Sequence, residues 1–153
     1  MNDNLNIAFL MDPLESLDLN GDTTFALAIE AQRRKHKISF FKPEDLILKS
    51  NNVYANICKL ELSSINNKND FKYHESFIKP LKDYDVIMMR QDPPFDMAYI
   101  TATHILEKLT KSTLVVNNPA EVRNSPEKIF VTNFSHLMPK TIITRNLKVI
   151  ENF

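Results

Sequence analysis

The chain contains one glycine, Gly21, in 153 residues. Glycine turns through positive φ without steric cost and lets a backbone close on an anion. Neither a GxGxxG nor a GxxxxGK[ST] loop can be written with a single glycine. Two common nucleotide-binding designs therefore lose their defining element. If the function uses ATP, the glycine-rich part of that site lies outside these residues.

Other broad quantities narrow the class. Hydrophobic residues make up 43% of the chain, enough for a real core. The length suits one domain, or one domain plus the start of another. Lys+Arg and Asp+Glu are both 19, giving zero formal charge. That balance lacks the basic footprint of a nucleic-acid binder. The basic run RRKHK at 33–37 is short and ends a predicted helix, where cations suit the dipole. Cys58 is the sole cysteine. It excludes an internal disulfide and a cysteine-rich metal site, and it fits a reducing cytosol. The apolar run Ile7 to Met11 is far too short to span a bilayer and has no basic leader. The expectation is a soluble, cytoplasmic protein with no membrane partner.

Strands and helices alternate along the chain. Leu5 to Met11 is a continuous apolar run, the pattern of a parallel strand buried on both faces. Asp12-Pro13 breaks it, and a polar loop runs to Asp22. TTFALAIEAQRRK then reads as a helix capped by Asp22 or Thr23. Ile38 to Phe41 is a second strand. Leu46 to Lys49 and Val53 to Leu62 flank Asn51-Asn52 as a hairpin. Residues 63–76 are asparagine-rich and read as a loop or weakly ordered insertion, and Phe77 to Leu81 as a short turn or helix. Val86 to Met89 and Leu114 to Val116 are strands on either side of a helix from Met97 to Leu109. Ser125 and Pro126 fit the N-cap and first position of a further helix. Thr141 to Thr144 reads as a strand, and Asn146 to Phe153 as the start of a helix. The alternation predicts an α/β fold: an open, largely parallel sheet with helices on both faces. Ligands in such sheets gather at the carboxyl ends of the strands. Three loops emerge there: Asp12 to Asp22, Arg90 to Asp96, and Asn117 to Ser125.

The loop RQDPPFD is the most unusual of the three. Its prolines fix φ and remove two backbone donors, and they push Asp92 and Pro93 towards extended geometry. Asp96 is placed to cap the next helix, with Phe95 packing on Ile100. A stiff turn and a cap account for those residues, but not for Arg90. Its guanidinium sits at a strand end, where it can hold a carboxylate bidentately or form an ion pair with Asp92 or Asp12. The loop MDPLESLDLNGD carries Asp12, Glu15, Asp18 and Asp22. It suits an amine or a cation, or is simply a solvated acidic loop, and it has no EF-hand spacing. The four histidines show no ligand spacing. Cys58 has no activating neighbour. Lys128 falls in the first turn of a predicted helix, an end that favours anions and disfavours lysine unless a phosphate is there to be held. An ordinary surface lysine is the alternative.

Taken together, IAFLMDPLESL, DTTFALAIEAQRR, MMRQDPPFDMAYITATHILE, LVVNNPAEVRNSPEKIFVTNF and MPKTIITRN resemble the N-terminal part of the bacterial glutathione synthetase family. The likeness runs from about Ile7 to Phe153 and is looser between 44 and 84. RQDPPFD followed by NxPxxxRNxPEKxF is its most specific part.

The resemblance implies an ATP-grasp ligase that joins γ-glutamylcysteine to glycine, with ATP and magnesium (or manganese) as cofactors and an acyl phosphate on the cysteinyl carboxylate. It implies a Rossmann-like pre-ATP-grasp domain at 1–124 and the beginning of the ATP-grasp domain at 125–153. It places Asp12, Arg90 and Asp92 on the substrate side and Lys128 near the ATP phosphates. Catalytic residues and metal ligands belong to later parts of the family's sequence, so this chain alone is expected to be inactive. The resemblance also implies a homo-oligomer. Lys35 stands where relatives often have glycine, at the end of the first helix. The competing readings are a self-sufficient small-molecule-binding module and an oligomerisation element of the same fold.

Overall fold

A computed structural model describes residues 4–16, 21–62 and 71–153. They form two compact units, the first ending at Arg123 and the second spanning Asn124–Phe153.

The first unit is built on one seven-stranded sheet: β1 (Asn6–Leu10), β2 (Lys37–Phe41), β3 (Leu46–Lys49), β4 (Asn52–Leu62), β5 (Phe71–Pro80), β6 (Val86–Met89) and β7 (Leu114–Val116). β2, β1, β6 and β7 lie side by side in parallel. β4 pairs antiparallel with β2 and continues the sheet into β3 and β5, also antiparallel. The expected α/β sheet is present, extended by an antiparallel flank.

From Ile7 onward β1 is apolar because both its faces are buried. Ile7, Phe9 and Met11 join Phe25 and Ala28 of helix α1 (Thr23–Arg33) in one core. Ala8 and Leu10 point the other way and join Ile87, Met89 and Leu106, the last from helix α2 (Met97–Glu107). Helices therefore cover both faces, as the alternation predicts. Fully burying a side chain such as Phe9 or Leu10 contributes about 1.5–3 kcal/mol.

β4 serves both cores. Val53, Ala55 and Ile57 belong with α2, while Leu60 and Leu62 belong with α1. The two sets are odd and even positions, which face opposite sides of the sheet. Between the pairs Cys58–Ser76 and Leu60–Tyr73, β5 carries one residue more than β4, a bulge in that edge strand.

Several expectations are corrected. The hairpin turn is Ser50-Asn51, one residue earlier than Asn51-Asn52, with Lys49 opposite Asn52. Both turn residues have positive φ, 48° and 64°, the twist a two-residue hairpin requires. Residues 71–76, expected in a loop, begin β5, and Phe77 to Pro80 continue it. Only Leu81–Asp83 forms a 3-10 turn. β4 supplies the ladder that the polar composition of this edge strand does not advertise. Residues 63–70 of that expected loop lie outside the described residues. In the loop expected over Asn117 to Ser125, Pro119–Asn124 forms a short helix, α3. Asn118 Oδ1 caps it by accepting from the Ala120 N–H at 3.0 Å.

In the second unit, helix α4 (Glu127–Phe130) has Pro126 and not Ser125 at its N-cap, and a 3-10 segment, Val131–Leu137, follows it. Thr141 to Thr144 is not a strand: no strand lies among the described residues of this unit to pair with it. Asn146 caps helix α5 (Leu147–Glu151) as expected. No residue of this unit is buried.

Candidate functional site

The carboxyl ends of β1 and β6 lie side by side, because Leu10 and Met89 are partners in the parallel ladder. The Arg90 N–H extends that ladder by donating to the Leu10 carbonyl at 2.7 Å. The next residues on each chain are then forced together: Asp12 Oδ2 accepts from the Asp92 N–H at 2.9 Å. One carboxylate thus ties the two loops across the end of the sheet.

Arg90 is half-buried, and its guanidinium turns to the start of α1. Nε donates to Thr24 Oγ1 at 3.1 Å and Nη2 to Thr23 Oγ1 at 2.7 Å. Among the described residues no carboxylate lies within ion-pair distance of it, so the expected pair with Asp12 or Asp92 is not formed. Neutral hydroxyls orient the guanidinium without cancelling its charge. The first turn of an eleven-residue helix adds its own positive end at the same place. Asp22 offsets part of that by accepting from the Phe25 N–H at 2.7 Å. A cation beside a helix N-terminus is unfavourable alone and becomes favourable when an anion sits between them.

Beyond Arg90, Gln91 is buried and its Oε1 has no hydrogen-bond partner among the described residues. The Pro93-Pro94 peptide is cis. Asp96 caps α2 through the Tyr99 N–H at 3.0 Å. Phe95 meets the Tyr99 ring at 5.0 Å, one residue before the expected Ile100. Burial pushes the Tyr99 hydroxyl's pKa up; the Arg90 charge opposes this and the Asp92 charge adds to it. Arg90, Asp92 and Tyr99 therefore share one electrostatic neighbourhood. Thr24, Gln91 and Tyr99 were not singled out from the sequence as site residues. For Thr24 the local signal is the pair of threonines right after a capping aspartate.

The acidic loop takes structural roles. Asp12 ties the loops and Asp22 caps α1. Glu15 accepts from the Tyr73 hydroxyl at 3.3 Å, and that hydroxyl accepts from the Leu14 N–H at 3.0 Å. Asp18 lies outside the described residues. Among the described residues no group of three or more His, Cys, Asp or Glu is arranged to hold a metal ion. Burial raises the Cys58 pKa, which keeps the thiol protonated.

Lys128 belongs to the second unit. It is exposed, and its Nζ pairs with Glu127 at 2.7 Å, which raises the lysine's pKa and lowers the glutamate's. Two clefts among the described residues lie away from Arg90. One of about 420 Å³ is lined by Thr132, Met138 and Ile143. Another of about 560 Å³ is lined by Lys37, Lys59 and Lys79, near the amino ends of β1 and β2. Among the described residues no helix is long and apolar enough to cross a membrane.

Comparison with known proteins points in one direction. Residues 5–123 match the family model described as the prokaryotic glutathione synthetase N-terminal domain. The chain is 48% identical to the glutathione synthetase of Rhodopseudomonas palustris over 149 residues, 97% of this chain and 47% of that protein. It is 48% identical to that of Agrobacterium fabrum, over 97% of this chain and 46% of the relative. With that of Coxiella burnetii it shares 37%, over 98% and 47%. The chain spans about half the length of the curated relatives it matches.

Proposed function

This chain belongs to the prokaryotic glutathione synthetase N-terminal domain family, and from that premise we propose that it is the substrate-side domain of a glutathione synthetase. The full-length protein joins γ-glutamylcysteine to glycine. The dipeptide's cysteinyl carboxylate attacks the γ-phosphorus of ATP and ADP leaves. The amine of glycine then attacks the acyl phosphate, phosphate leaves, and the amine's proton is released. Arg90 is the observation that carries this reading. A half-buried guanidinium, aimed by two neutral hydroxyls and without a carboxylate partner among the described residues, fits an anionic substrate group. Asp12 and Asp92 set the spacing of the wall on which it stands, and Asp92 and the Tyr99 hydroxyl face the same neighbourhood.

Residues 125–153 open a second, ATP-grasp domain. Ile129, Phe134, Leu137, Leu147 and Ile150 are all exposed there, an apolar surface that a complete domain would cover. Lys128 would lend its ammonium to the ATP phosphates, a role for which it must leave Glu127. Magnesium or manganese would accompany ATP in the full-length protein. The protein acts in the cytoplasm. A self-sufficient binding module is the second reading, favoured only by the completeness of the first unit's cores.

The test is release of phosphate by the full-length protein. It should require ATP, glycine and γ-glutamylcysteine together. Turnover without the dipeptide, or none with all three, would overturn the assignment.

A further inference from the structure

The loop that leaves β1 is anchored by the antiparallel flank. Met11 makes its last contact with β2, donating its N–H to the Phe41 carbonyl at 3.3 Å. Asp12 follows, and its carboxylate ties this loop to the Asp92 N–H. Pro13 has no N–H to give. Leu14–Ser16 then forms a 3-10 turn. The Ser16 N–H and hydroxyl close it by donating to the Pro13 carbonyl at 2.9 and 2.6 Å. The opening amide of such a turn finds no acceptor inside it. For Leu14 the acceptor is the Tyr73 hydroxyl at 3.0 Å, 59 positions away.

Tyr73 is itself firmly held. It stands on β5, with β4 and β2 between it and β1. Its backbone pairs with Leu60 of β4. Its ring lies 5.2 Å from that of Phe40 and 5.3 Å from that of Phe71, against the core shared with α1. The hydroxyl gives its own proton to Glu15 at 3.3 Å, which leaves its lone pairs for the Leu14 N–H. Burial pushes its pKa up, so it keeps that proton. Leu14 is buried, and a buried amide left without an acceptor is costly. Asp12 is thus fixed on one side by the ladder at Met11 and on the other by the latch at Leu14.

We propose that Tyr73 is a positioning residue for dipeptide binding: its hydroxyl fixes the Leu14 turn, and through it the Asp12 carboxylate that holds the Asp92 loop beside Arg90. The proposal rests on the ligase reading and deepens it. Tyr73 acts through Asp12, from a strand of the flank and not from the carboxyl ends of the parallel strands.

Tyr73→Phe keeps the ring and its packing and removes only the latch. In the full-length protein it should raise KM for γ-glutamylcysteine about fivefold, the scale of one lost neutral hydrogen bond. kcat and KM for ATP should stay as they are. A purely structural loss would lower the active fraction, and with it kcat, and leave KM alone. Hydrogen exchange of the Leu14–Ser16 turn should quicken in the same variant. Adding Tyr73→Phe to Asp12→Ala should raise KM no further, since the latch then has nothing to position. Dipeptide-dependent turnover with an unchanged KM in Tyr73→Phe would overturn the proposal and leave the ligase reading standing. So would unchanged exchange of the turn, or a rise in KM that multiplies with that of Asp12→Ala. Wild-type turnover that ignores the dipeptide would overturn the ligase reading and this proposal with it.

Discussion

Arg90 shows how a charged residue can be held without being neutralised. Thr23 and Thr24 orient its guanidinium, and neither carries charge. In the full-length enzyme Arg90→Ala should raise KM for the dipeptide about tenfold or more, the scale of a lost charge-assisted hydrogen bond. Arg90→Lys should recover only part, because a point charge does not reproduce the planar fork. Steady-state kinetics decide it, and an unchanged KM would leave Arg90 as an anchor for α1. Lys35 illustrates the reverse case, a residue at odds with its backbone. It follows the C-cap of α1 with φ of 68°, and its N–H reaches the Gln32 carbonyl at 2.8 Å. The His36 N–H reaches the Ala31 carbonyl at 3.1 Å, completing a Schellman turn that favours glycine. Lys35→Gly should therefore stabilise the fold by about 1 kcal/mol, seen as a higher urea midpoint. A midpoint that falls or stays put would show the strain to be relieved elsewhere.

At the level of elements, α1 is fastened to the end of β4 by one side chain. Gln32 Oε1 accepts from the Leu62 N–H at 2.9 Å, and its Nε2 donates to the Leu62 carbonyl. The amide thus stands in for a neighbouring strand. Gln32→Ala leaves both backbone groups without a partner and should cost about 1–3 kcal/mol in chemical denaturation. A loss too small to measure would mean that water replaces the amide. The same helix carries Glu30, whose pKa is lowered to about 2, first by the hydrogen bond from Arg33 and then by that from Arg34. Its contribution is present above the unfolded carboxylate's value of about 4.3 and is lost as pH falls through the lowered one. These pairs are exposed and screened by salt. Stability of Glu30→Gln should decline less steeply than the parent's over that acid range, and parallel profiles would remove Glu30 from the account. What was legible in the sequence follows the same physics. β1 announced itself because burial on both faces makes Ile7 to Leu10 apolar, and α1 and α2 announced their starts through Asp22 and Asp96. β5 stayed hidden because an edge strand exposes polar residues, and its partner β4 does the pairing. The setting of Arg90 was illegible for a different reason: Thr24 is 66 positions away, and only the fold brings the two together.

The whole molecule divides at Arg123 into a unit with two apolar cores and a unit with no buried residue. Within the first, strand neighbours come from very different distances along the chain. The β3–β4 turn joins Lys49 to Asn52 directly, whereas the seam of β1 with β6 brings together residues such as Asn6 and Asp85, 79 positions apart. Closing a long loop costs entropy before any contact compensates for it, so local pairings outrun distant ones. The antiparallel flank should accordingly assemble first, with the parallel seam closing last. Pulse-labelled hydrogen exchange during refolding should protect the amides of Val53 to Ile57 before those of Ile7 to Leu10. Simultaneous protection would show one concerted event. If the order holds, the wall that carries Arg90 is the last part of the sheet to exist, and any ligand that grips it acts on the final step of folding.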